Sequence, residues 1–247
     1  MNPPTREIFN RAELLLGADT MERLAAVRVI VFGVGGVGSW CAEGLVRSGV
    51  MHLTLVDADV VAPSNINRQR MATVSTVGRS KVEVLKEMLL DINPEAVIEN
   101  VHRRYTEETA SEFDLDSYDY VIDAIDSLKD KAALILHAAA SKATFFSSMG
   151  AACKVDPTHV RVASFWEVRG CPLGFLLRKK LRRAGTLPEK DFLCVYDEDL
   201  LENRGADTAL PEELKFDKVS HNGSLITVTA TFGFTLAGLV LQDVMNS

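Results

Sequence analysis

The sequence predicts an α/β fold in which helices flank a mostly parallel sheet, with an antiparallel C-terminal extension. Short apolar runs alternate with helical patterns through the first two thirds of the chain, as in sheets built from strand–helix–strand units. After residue 148 the segments become shorter and alternate in polarity, which favours antiparallel strands and loops. We therefore expect a parallel-sheet portion over residues 1–150 and an extension over residues 151–247, together forming one continuous domain.

Each predicted element follows from its local pattern. The predicted strands are residues 28–32, 53–57, 97–101, 120–124 and 144–148. The predicted helices between them are residues 37–48, 81–91 and 129–142, the second of which is stopped by Pro94. The extension adds alternating segments at 159–167 and 192–196 and a polar stretch at 197–220, which we expect to be a mobile lid.

Residues 226–241 carry no charge and approach the length of a membrane span. They are rich in Thr and Gly, lack basic flanks and precede Asp243, so we interpret them as a helix buried in the fold or in a subunit interface. Residues 1–8 contain no apolar segment typical of a targeting sequence. These patterns predict a cytoplasmic protein with no membrane partner.

Charge is distributed unevenly. The composition, 47% hydrophobic and 25% charged, is ordinary for a globular domain, and the net charge of −7 argues against a surface coated for nucleic acid. One helical pattern nevertheless concentrates basic residues while its leucines face inward, which fits either an RNA backbone or a solvated helix face. Its basic residues are Arg178, Lys179, Lys180, Arg182 and Arg183.

The cysteines and histidines do not form an obvious site. The four cysteines contain no C-x-x-C pair, which argues against structural zinc and favours reduced, partly buried thiols, although a nucleophilic role stays open. The five histidines show no pairing at catalytic spacing. His221, next to the polar stretch, is a weak candidate.

A glycine-rich turn predicts a Rossmann-like phosphate site. The strand RVIVF leads directly into Gly33, Gly35, Gly36, Val37 and Gly38 and then into a helix. Glycines let the backbone approach a phosphate, and the helix start offers free N–H groups. Asp57, at the end of the next predicted strand, is placed to accept hydrogen bonds from a ribose. A dinucleotide such as NAD fits these features as well as ATP does.

The following segment favours ATP. It contains Asp59, then Asn65, Arg68 and Gln69 in SNINRQ, and then Lys81 at the start of a helix. NAD needs no such set of basic groups, whereas a triphosphate that develops negative charge at its α-phosphate does.

Together these motifs resemble the adenylating superfamily of ubiquitin-activating and ThiF/MoeB/HesA-type proteins. The resemblance spans essentially the whole chain, from the Arg11 region through the glycine turn, DAD, NINRQ, GRSK and VIDAIDS to TVTATFGF. It implies catalytic roles for Arg68, Lys81, Asp126 and Arg11, with Asp57 on the ribose and Asn65, Arg68 and Lys81 on the phosphates. Asp59 and Gln69 complete the implied ATP set, and Asp126 would organise Mg²⁺.

The resemblance also implies an activity and partners. We expect ATP-dependent adenylation of a carboxylate on a modified adenosine in tRNA, followed by ring closure with loss of water, in a homodimer whose Arg11 reaches the partner's triphosphate. The alternative substrate is the C-terminus of a ubiquitin-like sulfur carrier, whose activating enzymes commonly carry C-x-x-C pairs that this chain lacks. A sulfur-transfer partner stays open. An oxidoreductase or a non-catalytic nucleotide-binding module is a third reading.

Two aspartates in VIDAIDS have competing interpretations. Asp123 would serve either as a buried, hydrogen-bonded group or as a nucleotide contact, and the residues do not decide between them. Asp126 would either hold the metal or cap the following helix, and we favour the metal.

Overall fold

A seven-stranded sheet organises the residues that the computed structural model describes, which are residues 5–205 and 222–247. Its strands are β1 (Arg28–Phe32), β2 (His52–Val56), β3 (Val97–Val101), β4 (Tyr120–Asp123), β5 (Thr144–Ser148), β6 (Arg161–Ser164) and β7 (Leu193–Tyr196). Their order is β3-β2-β1-β4-β5-β7-β6, and every neighbouring pair is parallel except β6 and β7.

Helices cover both faces of the sheet, as a parallel sheet requires. They are α1 (Thr5–Ile8), α2 (Asn10–Leu16), α3 (Ala18–Ala26), α4 (Gly38–Arg47), α5 (Lys81–Ile92), α6 (Leu128–Ala140), α7 (Pro172–Ala184) and α8 (Ile226–Asn246). Apolar residues of α3, α4, α5 and α8 build a core on one face, and those of α6 and α7 build a second core on the other. Alternate residues of β1 enter opposite cores, with Val29 in the first and Ile30 in the second.

The predicted fold class is confirmed, and all five predicted strands form within one residue of their predicted bounds. The basic helix begins earlier than its leucine pattern, with Pro172 in the first turn. It ends at Ala184, where Gly185 forms a left-handed C-cap with φ of 70°. The three N-terminal helices were not predicted.

The two strands of the extension, β6 and β7, pair antiparallel as expected. The pattern did not reveal that β7 joins the main sheet in parallel with β5. The connection from β5 through β6 and α7 is long enough to carry the chain back to the starting edge of the sheet. The carboxyl end of β7 therefore lies on the same edge as those of β1 and β4.

Helix α8 is buried against α4. A Cβ atom on Gly233 would lie 2.5 Å from the carbonyl oxygen of Val37 and 2.8 Å from the amide nitrogen of Cys41, so only glycine allows this approach. By length and composition α8 could cross a membrane, but half of its most apolar window is buried within the fold. This packing agrees with the predicted core helix.

The expected lid lies largely outside the described residues. Residues 197–205 are irregular, and residues 206–220 and His221 are beyond what the structure describes.

Candidate nucleotide-binding site

The sheet order reverses between β1 and β4, which creates a crevice at the carboxyl ends of two adjacent parallel strands. From β1 the chain proceeds outward to β2 and β3, whereas β4, β5 and β7 extend on the other side. Ligands of open α/β sheets bind at such a switch point. The walls of the crevice are the glycine loop (residues 33–38) after β1 and the Asp126 loop (residues 124–127) after β4.

The glycine loop depends on close backbone approaches. Gly33 has φ of 82°, and a Cβ atom there would lie 2.8 Å from the carbonyl oxygen of Ala124. A Cβ atom on Gly38 would lie 1.9 Å from the carbonyl oxygen of Gly33. Val37 precedes α4, and no side chain caps this end of the helix. The Ser39 amide donates to the carbonyl oxygen of Gly35 at 3.2 Å, and the other amides at this helix start face the side where an anion would bind.

Asp57 touches the glycine loop. It follows β2 directly, and its two carboxylate oxygens accept hydrogen bonds from the amides of Val34 and Asp59, both at 2.9 Å. The ring Nε2 of His102 lies 2.6 Å from the carbonyl oxygen of Ala58, which further holds this turn. The carboxylate is thus fixed beside the loop with lone pairs to spare.

Arg68 and Gln69 lie against the glycine loop. Ideal Cβ atoms on Gly36 and Gly35 would lie 3.3 Å from Arg68 Cγ and 3.7 Å from Gln69 Nε2. Trp40 of α4 donates its indole N–H to the carbonyl oxygen of Arg68 at 2.9 Å. Gln69 Oε1 is buried and has no hydrogen-bond partner among the described residues. A buried acceptor without a donor indicates a place where a ligand or water binds.

The segment around Arg68 orders its side chain but leaves donors available. Arg68 Nη1 donates to the carbonyl oxygen of Ser64 and to Oδ1 of Asn67, both at 2.8 Å. Its Nε and Nη2 groups donate to no residue that the structure describes. Asn65 Oδ1 accepts from the amide of Ala62 at 3.0 Å, which shapes the turn.

Lys81 and Asp59 form an ion pair at the start of α5. The Lys81 Nζ atom lies 2.7 Å from Asp59 Oδ2, and the side chain of Lys81 is 6% exposed whereas that of Asp59 is 70% exposed. The buried aliphatic part of the Lys81 side chain therefore fixes its ammonium group, and the Asp59 carboxylate is the more accessible member of the pair.

Asp126 is exposed and makes no hydrogen bond or ion pair with a described residue. Sequence reasoning missed its neighbour Arg104, which donates to Asp130 Oδ2 from Nε at 2.9 Å and from Nη2 at 2.6 Å. Asp130 raises the pKa of the Arg104 guanidinium, and the carboxylates of Asp59 and Asp126 raise it further. Both carboxylates thus lie near one exposed arginine at the mouth of the crevice.

Asp123 proves to be a buried, hydrogen-bonded group. Its side chain and that of Lys131 are both 0% exposed, and Lys131 Nζ lies 2.8 Å from Asp123 Oδ2. Ser147 donates to the same oxygen at 2.7 Å. Sequence reasoning missed Lys131, because a lysine in the first turns of a helix ordinarily faces solvent.

Arg11 lies apart from these residues within one chain. It is exposed on α2, a helix with no buried residue, and it makes no described contact with the glycine loop. The chain alone does not bring Arg11 together with Arg68 and Lys81.

The basic residues of α7 divide into two groups. Arg178 donates to the carbonyl oxygens of Phe165 and Val168, both at 2.8 Å, and is committed to the fold. The exposed ones are Lys179, Lys180, Arg182 and Arg183. Aromatic rings accompany them, since Arg182 stacks over Trp166 at 5.2 Å and Lys179 over Phe175 at 5.8 Å.

All four cysteines are free. Cys41, Cys171 and Cys194 are buried, and burial raises the pKa of Cys41 and Cys194. These two thiols stay protonated at neutral pH, which makes them poor nucleophiles.

The fold and the crevice are those of the open α/β class that binds nucleotides, with Arg68 packed against the glycine loop at the switch point. The chain belongs to the ThiF family, whose model matches residues 9–245.

Relatives match over nearly the full length. The Bacillus subtilis (strain 168) tRNA threonylcarbamoyladenosine dehydratase is 37% identical over 244 residues, covering 96% of this chain and 94% of the relative. A crystal structure of E. coli tRNA N6-threonylcarbamoyladenosine dehydratase in complex with ATP is similar with a TM-score of 0.85 and 33% identity, covering 98% of this chain and 95% of that one. By contrast, the molybdopterin-synthase adenylyltransferase of Salmonella typhimurium matches over 122 residues, 49% of each chain, at 35% identity.

Proposed function

We propose that this protein is an ATP-dependent dehydratase that adenylates the carboxylate of threonylcarbamoyladenosine in tRNA and cyclises the group with loss of water. The observation that carries the proposal is the packing of Arg68 and Gln69 against the glycine loop, with the Gln69 amide oxygen buried and without a partner among the described residues. The full-length similarity to dehydratases, against half-length similarity to an adenylyltransferase, favours the tRNA substrate over a sulfur-carrier protein.

ATP would be held by groups at the crevice, each suited to one part of the nucleotide. The glycine loop and the start of α4 would contact phosphates, and Asp57 would accept hydrogen bonds from the ribose. Arg68 offers free donors, and Lys81 supplies a compact charge once the exposed Asp59 releases it. Asn65 and Gln69 would complete the phosphate contacts.

Asp126 fits a magnesium ligand. Its carboxylate is exposed at the mouth, and carboxylate oxygen is a ligand that Mg²⁺ prefers. Within residues 5–205 and 222–247, no three His, Cys, Asp or Glu side chains cluster, so most ligands would come from water and phosphate oxygens. When bound, Mg²⁺ would neutralise negative charge on the phosphates.

The reaction would proceed in two transfers. A carboxylate oxygen of the substrate attacks the α-phosphorus, and the bond to the β-phosphate breaks with release of pyrophosphate. A neighbouring carbamoyl atom then closes onto the activated carbonyl carbon, expels AMP and loses a proton. Arg68 and Lys81 would stabilise charge that develops on the phosphates, and no enzyme nucleophile is required.

The tRNA would contact the exposed bases of α7. This helix has no acidic residue, in a protein whose net charge is −7, so its charge is complementary to RNA. Phe175 is 58% exposed beside Lys179, and exposed rings next to cations favour stacking with unpaired bases. We leave Arg178 out of this surface because its guanidinium is already bonded to the backbone.

We further propose that the chain acts in the cytoplasm as a homodimer. Residues 1–150 and 151–247 would form one continuous domain, in which the extension (151–247) supplies contacts with the substrate and with the second subunit. The exposed α2, with Leu14 and Leu15 each more than 80% exposed, would be covered by the second subunit and would carry Arg11 to the partner's triphosphate.

The decisive experiment incubates the protein with ATP, Mg²⁺ and tRNA that carries the threonylcarbamoyl group. Digested nucleosides are then weighed, and a product lighter by one water is expected together with AMP and pyrophosphate. The Asp126→Ala variant should bind ATP but form no product. Nucleosides of unchanged mass, with ATP consumed instead in the presence of a small protein ending in glycine, would establish the sulfur-carrier alternative.

A further inference from the structure

A buried ion pair lies beneath the Asp126 loop. Lys131, in the first turns of α6, and Asp123, the last residue of β4, are both fully buried with 2.8 Å between Nζ and Oδ2. Ser147 on the neighbouring strand β5 donates to the same Asp123 oxygen at 2.7 Å. No step of the proposed reaction uses these groups.

The pair fixes both backbone polar groups of one residue in the loop, Ile125. Asp123 Oδ1 accepts from the amide of Ile125 at 3.0 Å, and Lys131 Nζ donates to the carbonyl oxygen of Ile125 at 3.0 Å. Ile125 immediately precedes Asp126, whose own side chain makes no described contact. The orientation of the Asp126 carboxylate therefore depends on how Ile125 is held.

The same peptide segment also touches the opposite wall. The carbonyl oxygen of Ala124 lies 2.8 Å from where a Cβ atom of Gly33 would be, so the Asp126 loop abuts the glycine loop. A shift of Ile125 would change the distance between the carboxylate and the phosphate-binding backbone. The buried charge pair therefore contacts a loop that packs directly against the glycine loop.

A buried ion pair is an inefficient way to stabilise a fold, because the desolvation of two charges offsets most of their attraction. Its hydrogen bonds here go to the loop that carries the proposed metal ligand. We propose that Lys131 is a positioning residue for adenylation, which holds the Ile125 peptide through its ammonium group and thereby aims Asp126 at the triphosphate. This inference rests on the proposed function, because it assumes that Asp126 acts on MgATP.

The test compares Lys131→Met, which keeps the length of the side chain, with Leu134→Ala on the same helix. Leu134 is fully buried, and its truncation lowers stability without touching the loop. Two quantities are measured for each variant: the kcat and KM for ATP in pyrophosphate exchange, and the rise in melting temperature that Mg²⁺ adds to that caused by ATP alone.

For Lys131→Met we expect kcat to fall roughly 10- to 100-fold, as for a misplaced catalytic group, with KM for ATP changed less than about twofold. The Mg²⁺-dependent rise in melting temperature should disappear. Leu134→Ala should melt at a lower temperature but keep both the kcat and the Mg²⁺ response. Lys131→Arg should recover part of the kcat, because a cation still reaches the loop.

If Lys131→Met does not fold, the double variant Lys131→Met/Asp123→Asn removes the unpaired charge and is measured in its place. A folded variant with the kcat and the Mg²⁺ response of the wild type would overturn the proposal. Failure of both Lys131→Met and the double variant to fold would also overturn it, because the ion pair would then be needed for stability. If the unmodified protein forms no adenylate, the proposed function fails instead, and the two failures are thereby distinguished.

Discussion

Two single residues carry predictions of their own, a glycine at the crevice and a histidine in α6. Gly33 combines a positive φ with a close backbone contact across the two walls. His137 is partly buried in α6 with its Nδ1 atom 3.0 Å from the Tyr105 hydroxyl. Each residue can be tested by a single substitution.

Replacing Gly33 by alanine should damage both stability and ATP binding. The new Cβ atom would meet the Ala124 carbonyl oxygen at 2.8 Å, in a backbone conformation that itself costs about 1–3 kcal/mol for other residues. Gly78→Ala is the matched control, because its φ is 87° but no atom lies within 4 Å of its Cβ position. Urea unfolding should show a larger loss for Gly33→Ala. Equal losses would mean that contact with Ala124 is unimportant.

Protonation of His137 should destabilise the protein. Burial lowers the pKa of His137, so the unfolded chain binds the proton more readily than the folded one. Stability from this group is present above the ordinary histidine pKa of about 6.5 and is lost as the pH falls towards the folded pKa. Melting temperatures of the wild type and His137→Gln, measured from pH 8 to 5, should converge at low pH. If the two plots of melting temperature against pH stayed parallel, His137 would not be the source of the pH dependence.

The helices on the two faces of the sheet have different roles in the proposed function. On one face, α4 carries the glycine loop and is covered by α8, and on the other face α7 exposes its basic residues beside α6. The glycine loop leads into α4 on the first face and the Asp126 loop leads into α6 on the second, so the proposed nucleotide site lies between the faces at the edge of the sheet. The proposed tRNA contact lies on the second face alone.

Two glycines of α8 should respond in opposite directions to alanine. Gly233→Ala places a Cβ atom 2.5 Å from the Val37 carbonyl oxygen and should cost about 1–3 kcal/mol by overpacking. Gly238 has no atom within 4 Å of its Cβ position, so Gly238→Ala should be neutral or stabilise the helix by up to about 1 kcal/mol. Thermal unfolding of the two variants tests this. A stabilised Gly233→Ala would show that the helices are less tightly packed.

Neutralising Lys179 and Lys180 together should weaken tRNA binding and its salt dependence. Each lost phosphate contact lowers the slope of log K against log salt concentration by about one. Lys86→Gln, on α5 across the sheet, is the control and should leave the slope unchanged. The test is to measure the affinity for tRNA at several salt concentrations. An unchanged slope of log K against log salt concentration in the double variant would mean that the tRNA binds elsewhere.

At the scale of the whole molecule, the proposed contribution of Arg11 to the partner's triphosphate can be tested with mixed dimers, since Arg11 makes no described contact with the crevice of its own chain. Arg11→Ala and Asp126→Ala should each abolish product formation as homodimers. Co-expressed, they should form heterodimers in which one of the two sites is intact, so activity returns to about half of the wild-type value per dimer. Inactive heterodimers, verified by two different affinity tags, would contradict this sharing.

The sequence was most informative where local pattern and chemistry coincide. The strands β1 to β5 are apolar runs bounded by polar residues, and the glycine loop follows from its motif. The direction of β7 was not predictable, because it depends on the path of a long connection rather than on its own residues. Lys131 and Arg104 were missed because their roles arise from contacts across the fold, although a buried aspartate at the end of β4 was a signal that a buried cation would be near.

The packing of α8 on α4 also has a consequence during synthesis. About 180 residues separate the two helices, so at roughly 5–20 residues per second the ribosome completes α8 some 10 to 40 seconds after α4. Throughout that interval the apolar side of α4 lacks the cover that α8 provides in the folded protein.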